Sequence, residues 1–499
     1  MKYVIGIDLG TSAVKILLVN QHGEVMQEVA KSYSLIHLKT GYSEQDPDTW
    51  VEQTVAGLAE LLKSFDGNPE DIEGISFSGQ MHGLVLLDEE NRVLRDAILW
   101  NDTRTTDQCQ TIYDTVGEER LLEITKNPAL EGFTLPKILW VKEHEPEVFK
   151  NAAKFVLPKD YLRYKLTGEL HMEYSDAAGT LLLNVSEKEW SKEICEMLGL
   201  DIGLCPTLVE SHAEVGRITD EVAERTGLTV STRVFAGGAD NACGAIGAGI
   251  LEDGKTLCSI GTSGVILSYE ARDDRGFQGK VHYFNHGAPD AFYTMGVTLA
   301  AGYSLTWFKE VFAKGESFET LLADVGDVPV GSNGLLFTPY LVGERTPHAD
   351  AAIRGSFIGI DGSHQRKDFV RAVLEGITFS LNESIDIFRR SGKNIDTIIS
   401  IGGGAKNEAW LQMQADIFNS KIVRLSSEQG PGLGAAMLAA YGCGWFDSLK
   451  ECAAQFIKEE KQYMPNKENA EKYEALFLIY QEIYAQTKNL NEKLLEYRN

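Results

Sequence analysis

The sequence is short of several things, and each shortage excludes something. No apolar run is long enough to cross a membrane, and the first one stops at Asp8, which predicts no secretory signal. Cysteine is sparse: seven residues, an odd number with no CxxC pair, read as reduced thiols of a cytoplasmic protein rather than a disulfide framework. Positive charge is the scarcer sign. The 47 Lys and Arg stand against 73 Asp and Glu, and the net −26 speaks against nucleic acid or an anionic membrane surface as partner. No segment is of low complexity. What remains, 43% hydrophobic and 24% charged over 499 residues, is a soluble globular chain long enough for two domains, each with a full core.

The opening, Tyr3 to Val19, reads YVIGIDLGTSAVKILLV. Two short β-branched runs, 3–7 and 14–19, flank Asp8-Leu9-Gly10-Thr11-Ser12, the pattern of two buried strands joined by a tight turn. Gly10 lets the backbone pass close to a ligand. Successive turn N–H groups form an anion-binding concavity, and Thr11 and Ser12 add hydroxyl donors. Asp8 cannot attract a phosphate, so its natural task is to hold Mg²⁺, directly or through water. Alone, the stretch is equally an ordinary hairpin with a polar turn. A second copy, LCSIGTSGVIL at 257–267, repeats the pattern around Gly261-Thr262-Ser263. Two copies suggest two related lobes, each offering a phosphate turn to one cleft. With so negative a chain, the site must be locally positive through backbone N–H groups, helix N-termini and Mg²⁺.

Between the hairpins, residues 24–34 read as a third strand, and Asp46-Pro47 opens a helix with Asp46 as cap. A strand over 72–78 delivers Gly79-Gln80-Met81-His82-Gly83. A lone His is more often structural, but Gln80 and His82 between two glycines favour a polar ligand. AILWND at 97–102 is another strand end with polar groups. Trp100 can stack on a sugar face, and Asn101 and Asp102 can hydrogen-bond vicinal hydroxyls, or the stretch is a surface turn after a core Trp. LPKDY at 157–161 starts a helix that ends near Thr167-Gly168, whereas YSDAAG at 174–179 is small and polar without an assignment. VFAGGADNACGAIGAG at 234–249 leads a strand through Gly237-Gly238-Ala239-Asp240-Asn241 into a small-residue helix. Asp240 is either its cap or a lone functional carboxylate, and a cap needs no Gly-Gly before it and no Asn after it.

GILEDGKT at 249–256 satisfies the G-x-x-x-x-G-K-[ST] pattern, yet no strand immediately precedes it, a strand rather than a helix follows, and Glu252 and Asp253 stand where phosphates should lie. It reads as an interdomain turn. Beyond it, 297–312 reads as a helix containing Trp307, Gly343-Glu344-Arg345 is a charged loop, and 366–390 fits a long amphipathic helix. A strand over 397–401 enters Gly402-Gly403-Gly404-Ala405-Lys406-Asn407, a glycine run suited to backbone packed against a flat nucleotide. Another small-residue helix begins at Pro431, and the stretch from Lys450 is charged, helical and superficial.

The paired hairpins resemble the superfamily of sugar kinases, heat-shock ATPases and actin. The ordered set of motifs resembles the FGGY family of carbohydrate kinases over nearly the whole chain: GIDLGTSAVK (6–15), SEQDPDTW (43–50), GQMHG (79–83), AILWND (97–102), LPKDYLRYKLTGE (157–169), GGADNACGAIG (237–247), SIGTSG (259–264), PYLVGERTPH (339–348) and IGGGAKNE (401–408). Ala239 and Cys243 stand where Gly or Ala is expected. The resemblance implies an α/β fold of two ribonuclease H-like lobes around a central cleft, residues 1–245 and 246–499. It implies ATP-dependent phosphorylation of D-xylulose, with Asp240 as catalytic base and Asp8 in the Mg²⁺–phosphate site. Gln80, Met81, His82, Trp100, Asn101 and Asn241 are then expected at the sugar. Gly10, Thr11, Ser12, Gly261, Thr262, Ser263, Trp307, Gly403, Gly404, Ala405 and Asn407 are expected at the nucleotide. Rival readings are a kinase for ribulose, glycerol or gluconate, and a non-sugar ATPase of the same superfamily. The oligomeric state is left open, a homodimer being one arrangement.

Overall fold

A computed structural model describes residues 1–272 and 276–498. Two seven-stranded mixed sheets form its frame. In the first, Tyr3–Leu9 pairs antiparallel with Ala13–Asn20 and parallel with Ile72–Gly79. Val25–Ser32 extends one side, and Arg233–Phe235 with Glu214–Arg217 extends the other. In the second, Gly254–Ile260 pairs antiparallel with Gly264–Glu270 and parallel with Ile395–Gly402. Phe292–Thr298 extends one side, and Lys421–Leu425 with Glu459–Tyr463 extends the other. The order and directions of these six strands repeat between the sheets, so the duplication expected from the two hairpins is a property of the whole framework. The second sheet adds His282–Asn285 at its edge.

Local chemistry explains the elements. Pro47–Lys63 is helical because Asp46 accepts the Asp48 N–H at 2.9 Å and Pro47 supplies a pre-set first φ. Its Trp50, Val51, Val55, Leu58 and Leu61 pack on the first sheet. The amphipathic helix runs from Arg366 to Arg390, as its pattern predicts. Helices Asp240–Gly247 and Gly430–Gly442 pack against one another and against the first sheet. Their approach tolerates only glycine: a Cβ on Gly434 would lie 1.9 Å from the Cys243 carbonyl oxygen, and one on Gly6 would lie 2.1 Å from that of Gly432.

Three expectations change. The helix expected over 297–312 begins only at Gly302, because Phe292–Thr298 is a strand buried along nearly its whole length and so lacks an alternating pattern. The strand before Trp100 is only Ala97–Ile98. The charged C-terminal stretch contains the edge strand Glu459–Tyr463, held by backbone pairing, and its helix Lys467–Leu494 sinks Tyr473, Phe477 and Tyr480 into the core. The GKT pattern has the flanks that disqualify a phosphate loop: Gly254–Ile260 is a strand, and Lys255 pairs with Glu252 at 3.0 Å. No helix among the described residues is long and apolar enough to cross a membrane.

Candidate active site

Three parallel strand ends of the first sheet lie side by side. Leu9 is in register with Gly79, and Gly79 with Ala239. The next residues along these chains are Gly10, Gln80 and Asp240, so a phosphate-type turn, an amide and a carboxylate emerge at one place. Open α/β sheets bind ligands beyond the carboxyl ends of their strands.

Asp8 lies one residue inside its strand, with Lys15 and Ser78 as cross-strand neighbours. Burial raises its pKa, against the Ser78 hydroxyl and the Lys15 charge, which lower it. Asp240 opens the Asp240–Gly247 helix and is partly buried. Its pKa is raised to about 7, first by burial and then by the Asp8 charge, while the Asn241 N–H lowers it. Asp240 Oδ1 accepts the Asn241 N–H at 2.7 Å and the Asn241 Nδ2–H at 3.1 Å. That leaves Oδ2 for a ligand. Asn241 Nδ2 also lies 3.5 Å from Met81 Sδ, which ties the Asp240 turn to the Gln80–His82 turn.

His82 has a left-handed backbone, φ +68°, allowed here by the short polar turn. Its Nδ1 lies 2.7 Å from the Gly179 carbonyl, which only accepts, so Nδ1 carries the proton and Nε2 is an acceptor. Burial holds the imidazole pKa at about 3, so the ring is neutral across physiological pH. Phe133 and Phe284 pack against it at 4.6 and 6.2 Å. Gln80 donates to Gln45 Oε1 at 3.2 Å, and Gln45 donates to the Thr11 carbonyl at 2.7 Å. The buried Gln80 Oε1 has no protein partner, a vacancy that a ligand hydroxyl suits.

Trp100 is 47% exposed and donates its indole N–H to Thr11 Oγ1 at 2.9 Å, so it borders the first turn. Asn101 is exposed, whereas the neighbouring Asp102 is consumed by the Ser43 N–H at 2.6 Å and by Arg104 at 2.7 Å. Asp102 therefore holds its own loop instead of facing a sugar.

The second turn, Gly261-Thr262-Ser263, is exposed and docks on the start of helix Gly302–Phe312. The Gly302 and Tyr303 N–H groups donate to the Gly261 and Thr262 carbonyls at 2.9 and 3.0 Å. Gly402 leaves its strand with φ +79° and a Cβ there would lie 2.6 Å from the Ile260 carbonyl oxygen, so the glycine run abuts this hairpin. Gly403 is exposed, Gly404 and Ala405 are buried, and Asn407 caps helix Glu408–Phe418 through the Trp410 N–H at 2.9 Å. Trp307 is partly buried, stacked on Phe337 at 6.4 Å.

Among the described residues no cluster of three or more His, Cys, Asp or Glu is suited to a metal. Mg²⁺ asks for less: one or two carboxylates, with substrate phosphates and water completing an octahedron. Asp8 and Asp240, whose mutual repulsion contributes to the raised pKa of Asp240, are oxygen donors of that kind. They fit a cation that arrives with a polyphosphate.

The chain is similar to carbohydrate kinases over most of its length. The N-terminal domain of the FGGY family of carbohydrate kinases matches residues 3–247, and the C-terminal domain of that family matches residues 256–443. The chain is 64% identical over 498 residues to a xylulose kinase of Bacillus subtilis, covering 100% of both chains. A crystal structure of ligand-bound xylulose kinase from Lactobacillus acidophilus superposes with a TM-score of 0.94 at 30% identity, over 99% of this chain and 100% of that one. A crystal structure of gluconate kinase from the same organism gives 0.93 at 30% identity, over 99% of each chain.

Proposed function

The chain belongs to the FGGY family of carbohydrate kinases, and on that footing we propose that it transfers the γ-phosphoryl group of ATP to D-xylulose, giving D-xylulose 5-phosphate and ADP. The observation that carries the reading is the meeting of Asp240, Asp8 and the Gln80–His82 turn at three adjacent strand ends. A neutral His acceptor and an unpartnered Gln oxygen beside the phosphate turn suit the hydroxyls of a sugar. The 64% identity to a named xylulose kinase supports the pentulose over other sugars.

Asp240 Oδ2 takes the proton of the attacking hydroxyl as its oxygen bonds to phosphorus. Asn241 holds the other carboxylate oxygen and so fixes the direction of the lone pair. His82 Nε2 and Gln80 Oε1 accept sugar hydroxyl protons, and Met81 packs beneath the sugar. Gly10–Ser12 and Gly261–Ser263 present turn N–H groups to the phosphates from the two sheets, with Trp307 and Gly403–Asn407 on the adenosine side. Mg²⁺, when bound with the nucleotide, supplies charge neutralisation of the phosphates. Asp8 would hold it. The lobes divide as residues 1–245 and 246–499, with helix Gly430–Gly442 returning to the first sheet. Their approach over bound sugar excludes water as a competing nucleophile. Seven unpaired cysteines support a cytoplasmic setting.

The test is ADP release with ATP, Mg²⁺ and a panel of sugars. Turnover is expected to require sugar and to be fastest in kcat/KM with D-xylulose. Sugar-independent turnover would remove the kinase reading, and a preference for gluconate, ribulose or glycerol would move the substrate only.

A further inference from the structure

Beneath the site lies a charged network with no contact to solvent. Lys159, Asp160, Arg163, Glu173 and Asp176 all have side chains 0% exposed. Lys159 Nζ lies 2.7 Å from Asp160, 2.9 Å from Asp176 and 3.3 Å from Glu173, and Arg163 lies 3.0 Å from Asp160. Burying such groups is costly unless they are paired and hydrogen-bonded, and these carry their pairing outward to one turn. What they fix here is the turn that ends in Asp240. Arg163 donates to the Ala236 carbonyl at 2.6 Å. The Gly237 N–H donates to the carbonyl of Ser211, whose hydroxyl donates to Glu173 at 3.0 Å. The Ala239 N–H, one residue before the base, donates to Ser175 Oγ at 2.9 Å, and Ser175 Oγ donates to Glu173 Oε2 at 2.7 Å.

The polarity of that last chain is forced. An amide nitrogen only donates, and a hydroxyl has one proton. Glu173 already accepts the Ser175 and Asp176 N–H groups at 2.7 and 2.9 Å, so it acts throughout as an acceptor and claims the Ser175 proton. The lone pairs of Ser175 Oγ are then directed at Ala239.

We propose that Ser175, oriented by Glu173, is a positioning residue that sets the place of the Asp240 carboxylate; this rests on the reading of Asp240 as the general base. Ser175 is fully buried, and its hydroxyl meets the Ala239 N–H and Glu173 rather than Asp240 itself. It acts by denying the Ala239 peptide any other orientation.

Ser175→Ala leaves the Ala239 N–H without its partner. kcat is expected to fall about 10- to 100-fold, the cost of displacing a reacting group by about 1 Å. ATP affinity, measured by equilibrium titration, stays within about threefold. In the Asp240→Asn background the same change should cost less than about twofold in kcat, because residues that act as a unit are not additive. The cycle run with Glu173→Gln reads the link one bond further back, and it carries the test should Ser175→Ala not fold. Losses that multiply in full on the Asp240→Asn background would overturn the brace while leaving the base in place. So would a Ser175→Ala enzyme that melts lower but keeps wild-type kcat. If Asp240→Asn alone keeps wild-type kcat, the base reading fails and the brace falls with it.

Discussion

The two hairpins share their strand pairings but differ in turn length and in chemistry: four residues, 10–13, link the paired Leu9 and Val14, and three, 261–263, link Ile260 and Gly264. Leu9 is paired with Val14 across its hairpin and with Gly79 along its parallel neighbour, and Ile260 occupies the same place with Gly264 and Gly402. Asp8 therefore corresponds to Ser259. The hairpin partner of Asp8 is Lys15, and that of Ser259 is Val265. Each turn is closed at its glycine, by Gly10 N–H to the Ala13 carbonyl at 3.0 Å and by Gly261 N–H to the Ser263 carbonyl at 2.9 Å. With each glycine N–H so used, the N–H groups of Thr11 and Ser12, and of Thr262 and Ser263, are the ones that the proposed reaction leaves for phosphate. Of the two carboxylates to which the proposed reaction gives a cation and a proton, Asp8 stands in the first hairpin and Asp240 follows a strand end of the same sheet. On that proposal the duplicated frame divides the labour: the first hairpin adds a carboxylate to its turn, and the second offers its turn alone.

The largest expected effect breaks the chemical half. Asp240→Asn keeps size and hydrogen bonding but cannot accept a proton, so kcat should fall ~10²–10⁴-fold, the range for general-base loss. Sugar affinity should change far less, which steady-state kinetics with a sugar titration will separate. Next, Asp8→Asn and Ser259→Ala compare the two equivalent positions directly. Asp8→Asn should cost about 10²–10³-fold in kcat, as for removal of a preorganised electrostatic contact. Raised Mg²⁺ should restore part of that loss and none of the loss in Asp240→Asn. Ser259→Ala should stay within about threefold of wild type. Equal losses at the two positions would erase the distinction between the hairpins. The smallest effect belongs to Lys255→Ala. It lies in the strand of the second hairpin and satisfies a phosphate-loop pattern, yet it is paired with Glu252 and should leave kcat within about threefold.

Much of this contrast is legible in the chain. Both hairpins, the Gln80–His82 turn, the Asp240 turn and the helix from Arg366 to Arg390 follow from glycine placement and apolar period. The supporting network is not legible. Nothing in the sequence marks Lys159, Asp160, Arg163 and Glu173 as buried, since such residues rarely are, and only a fold that brings 159, 173 and 211 together reveals their partners. Phe292–Thr298 hides its strand because burial on both faces removes alternation, and Glu459–Tyr463 hides it because edge pairing needs only backbone. Asp102 looks like a ligand group until Arg104 is seen against it. The pKa of Asp240 is likewise invisible, since it comes from burial and from Asp8, 232 positions earlier in the chain by the difference of their numbers.

The proposed division of labour centres on Asp240 as a base whose carboxyl its surroundings make a weaker acid, and the pH dependence of kcat/KM tests that most directly. A carboxyl raised to about 7 is protonated, and useless as a base, below that pH. In the free wild-type enzyme, log kcat/KM should therefore fall with unit slope below about pH 7, where free-enzyme acid and base groups are read. Asp8→Asn, which removes the neighbouring negative charge, should move the limb to lower pH, and Asp240→Asn should abolish it. A wild-type profile flat down to about pH 5, well above an ordinary Asp pKa, or a limb that persists unmoved in Asp240→Asn, would contradict the account.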